Sequence, residues 1–390
     1  MGPTKVLWFS TKGKHLKLNS SILAWYEKKI NKNPQQYTTL RLDNISTDDA
    51  STTDLLLFLN NHPQLTDFTY SNRKTLPTCS VLRCVATSAR YITGIYIDMS
   101  NIPKKVGLDL MACLALPKCP VTSLHFCSVR MGVIVVRNLV AFIRTTTRLT
   151  SFMFRYCKSI PLEEARAMLD AIEANTSIES LIVSHSDIAE GRKRRFVYAA
   201  LSNPKLTSFV FSSDSNTYCD LDFPRIQPTL KKLTLCVPLP KHAWKLLARV
   251  LKVTTTLTHV NLSGCCLGSE GVTAMLDAFR GDSTIESIEL SCNNGYTIPD
   301  TLTALIVTAP SLVKLGTELS RSAWYYHRQT INEFKDAVRN HSNLTYLGYD
   351  HEIETFKCTK YLERNKHNRK RKGPTLFDIM IDRCYHHLIK

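Results

Sequence analysis

The chain has 390 residues, 44% of them hydrophobic, with 50 Lys and Arg against 33 Asp and Glu, a formal net charge of +17. That apolar content is ample for a large core, and no apolar run approaches the ~18 residues of a membrane-spanning helix. The 13 cysteines include no C-x-x-C pair, which argues against a zinc knuckle and points to a reducing compartment.

Residues 1–36 hold two short apolar patches, Val6–Phe9 and Leu16 with Leu18. A helical stretch follows from Ser21 to about Asn31, with Leu23, Tyr26 and Ile30 on one side. The opening has no apolar signal core, so the expectation is a cytoplasmic protein. From Tyr37 onward a pattern repeats. Strand starts are expected at 37, 65, 92, 121, 149, 178, 206, 230, 257, 285, 312 and 344, most of them 27–29 residues apart. The clearest unit opens with Leu257, Val260 and Leu262 in the pattern L-x-x-L-x-L. Val272, Met275, Leu276 and Phe279 then fall at i, i+3, i+4 and i+7, one face of a helix. Ile285, Ile288 and Leu290 begin the next unit. Similar helical faces are expected at Val136, Leu139, Val140 and Ile143, at Ala165, Met168, Leu169 and Ile172, at Ala243, Leu246, Leu247 and Val250, and at Leu302, Leu305, Ile306 and Ala309. A lone strand–helix unit cannot bury its apolar side, but stacked copies can.

Two units depart from the period. Between Leu206 and Leu230 the spacing is 24, and Pro224 with Pro228 argues against a helix there. Between Leu312 and Leu344 it is 32, with Trp324-Tyr325-Tyr326 in the added length.

L-x-x-L-x-L units at about 28 residues, each with a helix, resemble the ribonuclease-inhibitor-like class of leucine-rich repeats over residues 37–350. The resemblance implies an α/β solenoid of about twelve repeats, a curved horseshoe with a parallel sheet on its concave side and helices on its convex side. Residues 1–36 would then be an N-terminal cap, and 351–390 a basic C-terminal capping or docking segment.

Strand alternation places the residues between the inward apolar positions on the concave surface. Arg41, Tyr96, His125, Met153, Arg155, His259, Glu289 and Tyr346 are the expected partner-binding anchors there, because Tyr, Trp and Arg dominate binding hot spots. Most of the charge lies elsewhere. Residues 1–36 hold seven Lys against one Glu, and residues 357–390 ten Lys or Arg against three acids. Nucleic acid is therefore expected to make only non-specific contact with the basic flanks, because tight phosphate binding needs a continuous basic track. Arg192–Arg195 and Arg364–Lys372 are the densest runs, read as solvated segments, as nuclear-localisation signals or as RNA or anionic-surface contacts.

No catalytic constellation is present. G-x-x-x-x-G-K-S/T and G-x-S-x-G are absent, Cys265-Cys266 has no adjacent base, and His386-His387 with Cys384 and Asp382 lacks a second ligand cluster. The expectation is a monomeric, non-enzymatic scaffold without cofactor or metal that binds a protein partner. At the C-terminus, Phe377, Met380, Ile381, Cys384 and Leu388 share one helical face, expected to cap the open end of the solenoid. The alternative is a docking helix built on Leu376, Phe377, Met380, Ile381 and Cys384. TLFDIMIDRC resembles the box by which leucine-rich-repeat substrate receptors of cullin ubiquitin ligases bind elongin B/C, with Met380 where that box usually has Cys. LTYLGYD followed by a basic helix resembles tropomodulin-type actin caps, which implies an actin-regulating role.

Overall fold

A computed structural model describes residues 5–368, apart from 11–15, 19, 44, 47–48, 73–78, 89, 100, 158–159, 185–192, 214–217, 225, 295–298, 318–327 and 348–357. Thirteen parallel strands form one sheet. They are Lys5–Ser10 (β1), Tyr37–Asp43 (β3), Asp67–Asn72 (β5), Gly94–Met99 (β6), Ser123–Cys127 (β7), Ser151–Arg155 (β8), Ser180–Ser184 (β9), Ser208–Ser212 (β10), Lys232–Cys236 (β11), His259–Asn261 (β12), Ser287–Glu289 (β13), Lys314–Gly316 (β14) and Tyr346–Leu347 (β15). Their order in space is their order in sequence. Leu16–Lys17 (β2) and Ile45–Ser46 (β4) form a separate two-stranded ladder. Consecutive parallel strands require a crossover, and helices supply most of them. These are Ser20–Lys32 (α1), Asp49–Asn61 (α2), Cys79–Ser88 (α3), Lys104–Leu114 (α4), Val133–Thr145 (α5), Leu162–Ala174 (α6), Lys193–Ser202 (α7), Lys241–Lys252 (α8), Gly268–Ala278 (α9), Pro299–Thr308 (α10), Arg328–Asn340 (α11) and Thr359–Asn368 (α12). The twelve strand starts expected from the sequence each lead into a sheet strand. Within the expected N-terminal cap, β1 adds a further strand against β3.

One continuous core runs between sheet and helices. Each strand contributes alternate residues, such as Leu124 and Phe126 on β7 or Phe152 and Phe154 on β8, all fully buried. Each helix contributes one stripe. The expected faces of α5, α6, α9 and α10 are buried as read. On α8 the stripe is rotated: Ala243, Trp244, Leu247 and Leu251 are buried, while Leu246 and Val250 are only partly covered. The large indole of Trp244 takes the inward position, because it has the most apolar area to remove from water. Between β10 and β11 the described residues hold no helix, as Pro224 and Pro228 require. Leu221, Phe223 and Ile226 fill the helix's place in the core.

Successive units are stitched by polar ladders. Three residues beyond the last apolar position of L-x-x-L-x-L, a side chain reaches back to the preceding unit. Cys265 Sγ donates to Leu235 O at 3.0 Å, and Asn293 Nδ2 donates to Leu262 O at 2.9 Å. Burial pushes the Cys265 thiol up to about 12, which keeps it protonated and able to donate. A second ladder lies just before the strands. Thr66, Thr93, Thr122, Thr150, Thr207, Thr258 and Thr345 each donate their backbone N–H to the equivalent carbonyl one unit earlier, at 2.8–2.9 Å. Several, Thr207 and Thr258 among them, add a hydroxyl bond to the same oxygen. Arg148 ties α4 to the following unit by donating to the carbonyls of Leu114, Leu116, Pro117 and Cys119 at 2.5–3.2 Å. Leu114 O is one of the end carbonyls that a helix cannot satisfy itself, and the other three lie in the turn that follows α4.

The C-terminal end is closed by α12. Cys358, Leu362 and Asn365 are buried against the last unit. Asn365 Nδ2 donates to His341 O at 2.8 Å and to Leu344 O at 2.7 Å. Ser177 satisfies the corresponding carbonyls, Thr146 O and Leu149 O, in the middle of the solenoid. Asn365 thus does for the last turn what the next repeat would have done. Residues 375–390, where a capping or docking helix was expected, and Trp324-Tyr325-Tyr326 lie outside the described residues. Among the described residues, no helix is long and apolar enough to cross a membrane.

Candidate functional site

The sheet face turned away from the helices is laid out by strand register in three lines running across the strands. The middle line is Arg41, Thr69, Tyr96, His125, Met153, Ile182, Val210, Thr234, Asn261, Glu289 and Gly316. Five of the eight expected anchors therefore stand in one line. His259 and Tyr346 belong to the line before it, with Ser123, Ser151, Ser180, Ser208, Lys232, Ser287 and Lys314. Arg155 belongs to the line after it, with Asp98, Cys127, Ser184, Ser212 and Cys236.

Depth of burial separates these anchors. At the centre of the face, Met153, Ile182 and Val210 form a second apolar cluster, packed by Tyr96 and distinct from the main core. Met153 is 3%, Arg155 6% and His125 8% exposed, so these three support the surface rather than project from it. His125 Nε2 lies 3.0 Å from both Ser123 Oγ and Ser151 Oγ, two hydroxyls able to donate to a neutral ring. Its ring meets Tyr96 edge-on at 5.7 Å. Burial pulls the imidazole down to about 4, so it is neutral at pH 7. Burial is likewise the main cause that pushes the Tyr96 hydroxyl up, and it stays protonated.

Arg41, Tyr96, His259, Glu289 and Tyr346 are half-exposed. Glu289 is held in place from two sides. Ser291 donates to its Oε1 from both Oγ (2.5 Å) and N (3.1 Å). Gly316 leaves space for the carboxylate, since a Cβ there would collide with the Glu289 carboxylate. Lys232, His259 and Lys314 surround this C-terminal part of the face with basic groups, and Lys314 is exposed. At the other end lie Asp43, Asp67 and Asp98 on β3, β5 and β6, with Arg41 3.9 Å from Asp43. The face offers charged groups and hydroxyls at positions set by strand register. Among the described residues, no group of three or more His, Cys, Asp or Glu could hold a metal ion.

The basic run 192–195 changes its meaning. Lys193, Arg194 and Arg195 form the first turn of α7 rather than a free loop. Cations at a helix N-terminus oppose the helix dipole, and acids of neighbouring units compensate. Arg194 pairs with Asp222 and Asp220, and Arg195 with Asp170 at 2.7 Å and Glu173 at 3.5 Å.

The family model for the Leucine Rich repeat matches residues 254–276, the unit comprising β12 and most of α9. The fold is a leucine-rich-repeat solenoid. A comparison with curated proteins returned no match. Among solved structures, this chain is similar to a chain of the Rad7 and Elc1 complex from yeast, at 14% identity and a TM-score of 0.48, covering 84% of this chain and 76% of that one. It is similar to the APL1 leucine-rich repeat domain at 13% identity and a TM-score of 0.38, covering 81% and 68%. A chain of the Drosophila Toll–Spatzle complex is similar at 12% identity and a TM-score of 0.35, covering 73% and 40%.

Proposed function

We propose that this leucine-rich-repeat protein is a non-enzymatic scaffold that binds a protein partner on its concave face. The observation that carries this reading is the contrast across that face. Its centre is closely packed, while strands β11–β15 present Lys232, His259, Glu289, Lys314 and Tyr346 half-exposed or exposed on a fixed backbone. A rigid surface with charged and aromatic side chains recognises a partner without an ordering cost of its own. Arg41 and Tyr96 extend the same face toward the N-terminal strands. His125, Met153 and Arg155 act beneath it by keeping the centre packed.

The test is affinity capture on the full chain followed by mass spectrometry. Lys314→Glu with Glu289→Lys on the concave side is set against Lys245→Glu and Arg249→Glu on helix α8. Loss of the captured partner with the concave pair alone supports the assignment. Retention with the concave pair and loss with the helical pair would move the binding surface to the convex side.

A further inference from the structure

Charge on the concave face is sorted along the solenoid. Over β3, β5 and β6 the face carries Asp43, Asp67 and Asp98 with one cation, Arg41, which lies 3.9 Å from Asp43. Asp67 is exposed, and its carboxylate leans over Gly94 on the next strand, where a Cβ would collide with it. Thr66 Oγ1 donates to Asp67 Oδ2 at 3.0 Å, and among the described residues no cation pairs with Asp67. Over β11–β14 the sign reverses. Lys232 and His259 are half-exposed and Lys314 is exposed, with Glu289 as the carboxylate on those strands, already held by Ser291. Between the two ends, β7–β10 present Ser123, Ser151, Ser180 and Ser208 half-exposed beside the Met153–Ile182–Val210 cluster. Arg155, the charged side chain of this middle stretch, is 6% exposed. From Asp98 on β6 to Lys232 on β11 the sheet runs five strand spacings, about 24 Å at ~4.8 Å each.

We propose that the concave face seats one helix of the protein partner, basic at the end over β3, β5 and β6, small and uncharged for about 16 residues, and acidic at the end over β11–β14. This rests on the concave-face reading above and adds the chemistry of the partner. The length follows from the rise of about 1.5 Å per helical residue, which carries about 16 residues across the uncharged stretch. A helix is the occupant that fits, because it satisfies its own backbone groups. The face of a sheet, unlike its edge, offers an extended chain no backbone ladder to join. Opposite charges at the two ends fix the partner's direction and position more than they add to its affinity. A partner of one sign, a nucleic-acid strand included, matches one end and is repelled at the other.

The experiment is fluorescence anisotropy of the full chain with two labelled peptides of one composition. The first has four Glu, then four Ala-Ala-Ala-Gln units, then four Lys, an order that also suits the helix dipole. The second has the same Glu and Lys interspersed along its length. The separated-charge peptide should bind about tenfold tighter at low salt, and the advantage should vanish in 1 M salt, where the screening length is about 3 Å. D67K and K314E, both at exposed positions, should keep the fold and each weaken the separated-charge peptide about fivefold, the scale of an exposed charge pair. D67N should fall between D67K and wild type. Equal binding of the two peptides by the wild type, binding of neither, or an unchanged affinity in D67K would overturn the proposal. The partner captured by the wild type separates this failure from that of the reading beneath it. Loss of that partner in E289K/K314E with full retention in D67K leaves the concave face as the binding surface and removes the assigned polarity. Retention in E289K/K314E removes both.

Discussion

The centre of the concave face and its C-terminal part are built from the same repeat and offer different things. In β7–β10 the strands are five residues long, and the concave side carries Met153, Ile182, Val210 and the Ser123–His125–Ser151 bridge, all packed closely. In β12–β15 the strands shorten to two or three residues, and His259, Glu289, Lys314 and Tyr346 stay within reach of solvent. Position in the repeat decides which way a side chain points. Its neighbours in the adjacent units decide whether it is available. The centre is thus expected to respond to substitution through stability, and the C-terminal part through binding.

Four substitutions can break that division, and the largest effect belongs to the centre. Met153→Ala should cost about 2–5 kcal/mol, as for other buried Met truncations; chemical denaturation measures it, and a cost below 1 kcal/mol would mean that the cluster is not packed. His125 follows. Its folded pKa of about 4 lies below the ordinary 6.5, so between these values the unfolded chain binds a proton that the folded chain does not. Stability should then fall as pH drops from about 6.5 to 4, by about 3 kcal/mol in all. His125→Gln should remove that portion of the pH dependence, as read in melting temperature against pH. At the C-terminal end, Asn365→Ala should cost about 1–3 kcal/mol, because two buried carbonyls lose their donor. The smallest effect is expected at Lys314→Glu, within about 0.5 kcal/mol of wild type for an exposed site.

Much of the fold was legible because its physics is periodic. A spacing of 27–29 residues, the L-x-x-L-x-L pattern and the two prolines at 224 and 228 each have a single structural consequence. The signals for the ladders were also present. Cys265 and Asn293 occupy the same place in successive units, and Thr precedes the strand in many units, though neither regularity was used. Burial on the concave side was not legible. Met153 and Lys314 both follow from alternation, and only the neighbouring strands distinguish them. The rotation of the α8 stripe is not legible because Trp244 and Leu251 fit a 3.6-residue period as well as Leu246 and Val250 do. The pairing of Arg194 with Asp222 joins units 28 residues apart and leaves no local trace.

The central claim is that strands β11–β15 carry recognition while β7–β10 carry stability. Its most direct test is to measure both properties on Glu289→Lys with Lys314→Glu: thermal unfolding, and retention of the partner captured by the wild-type chain. The account predicts lost capture by a folded variant, its melting temperature lowered only by the two Ser291 bonds that Glu289 gives up. Undiminished capture by a correctly folded double variant would contradict it.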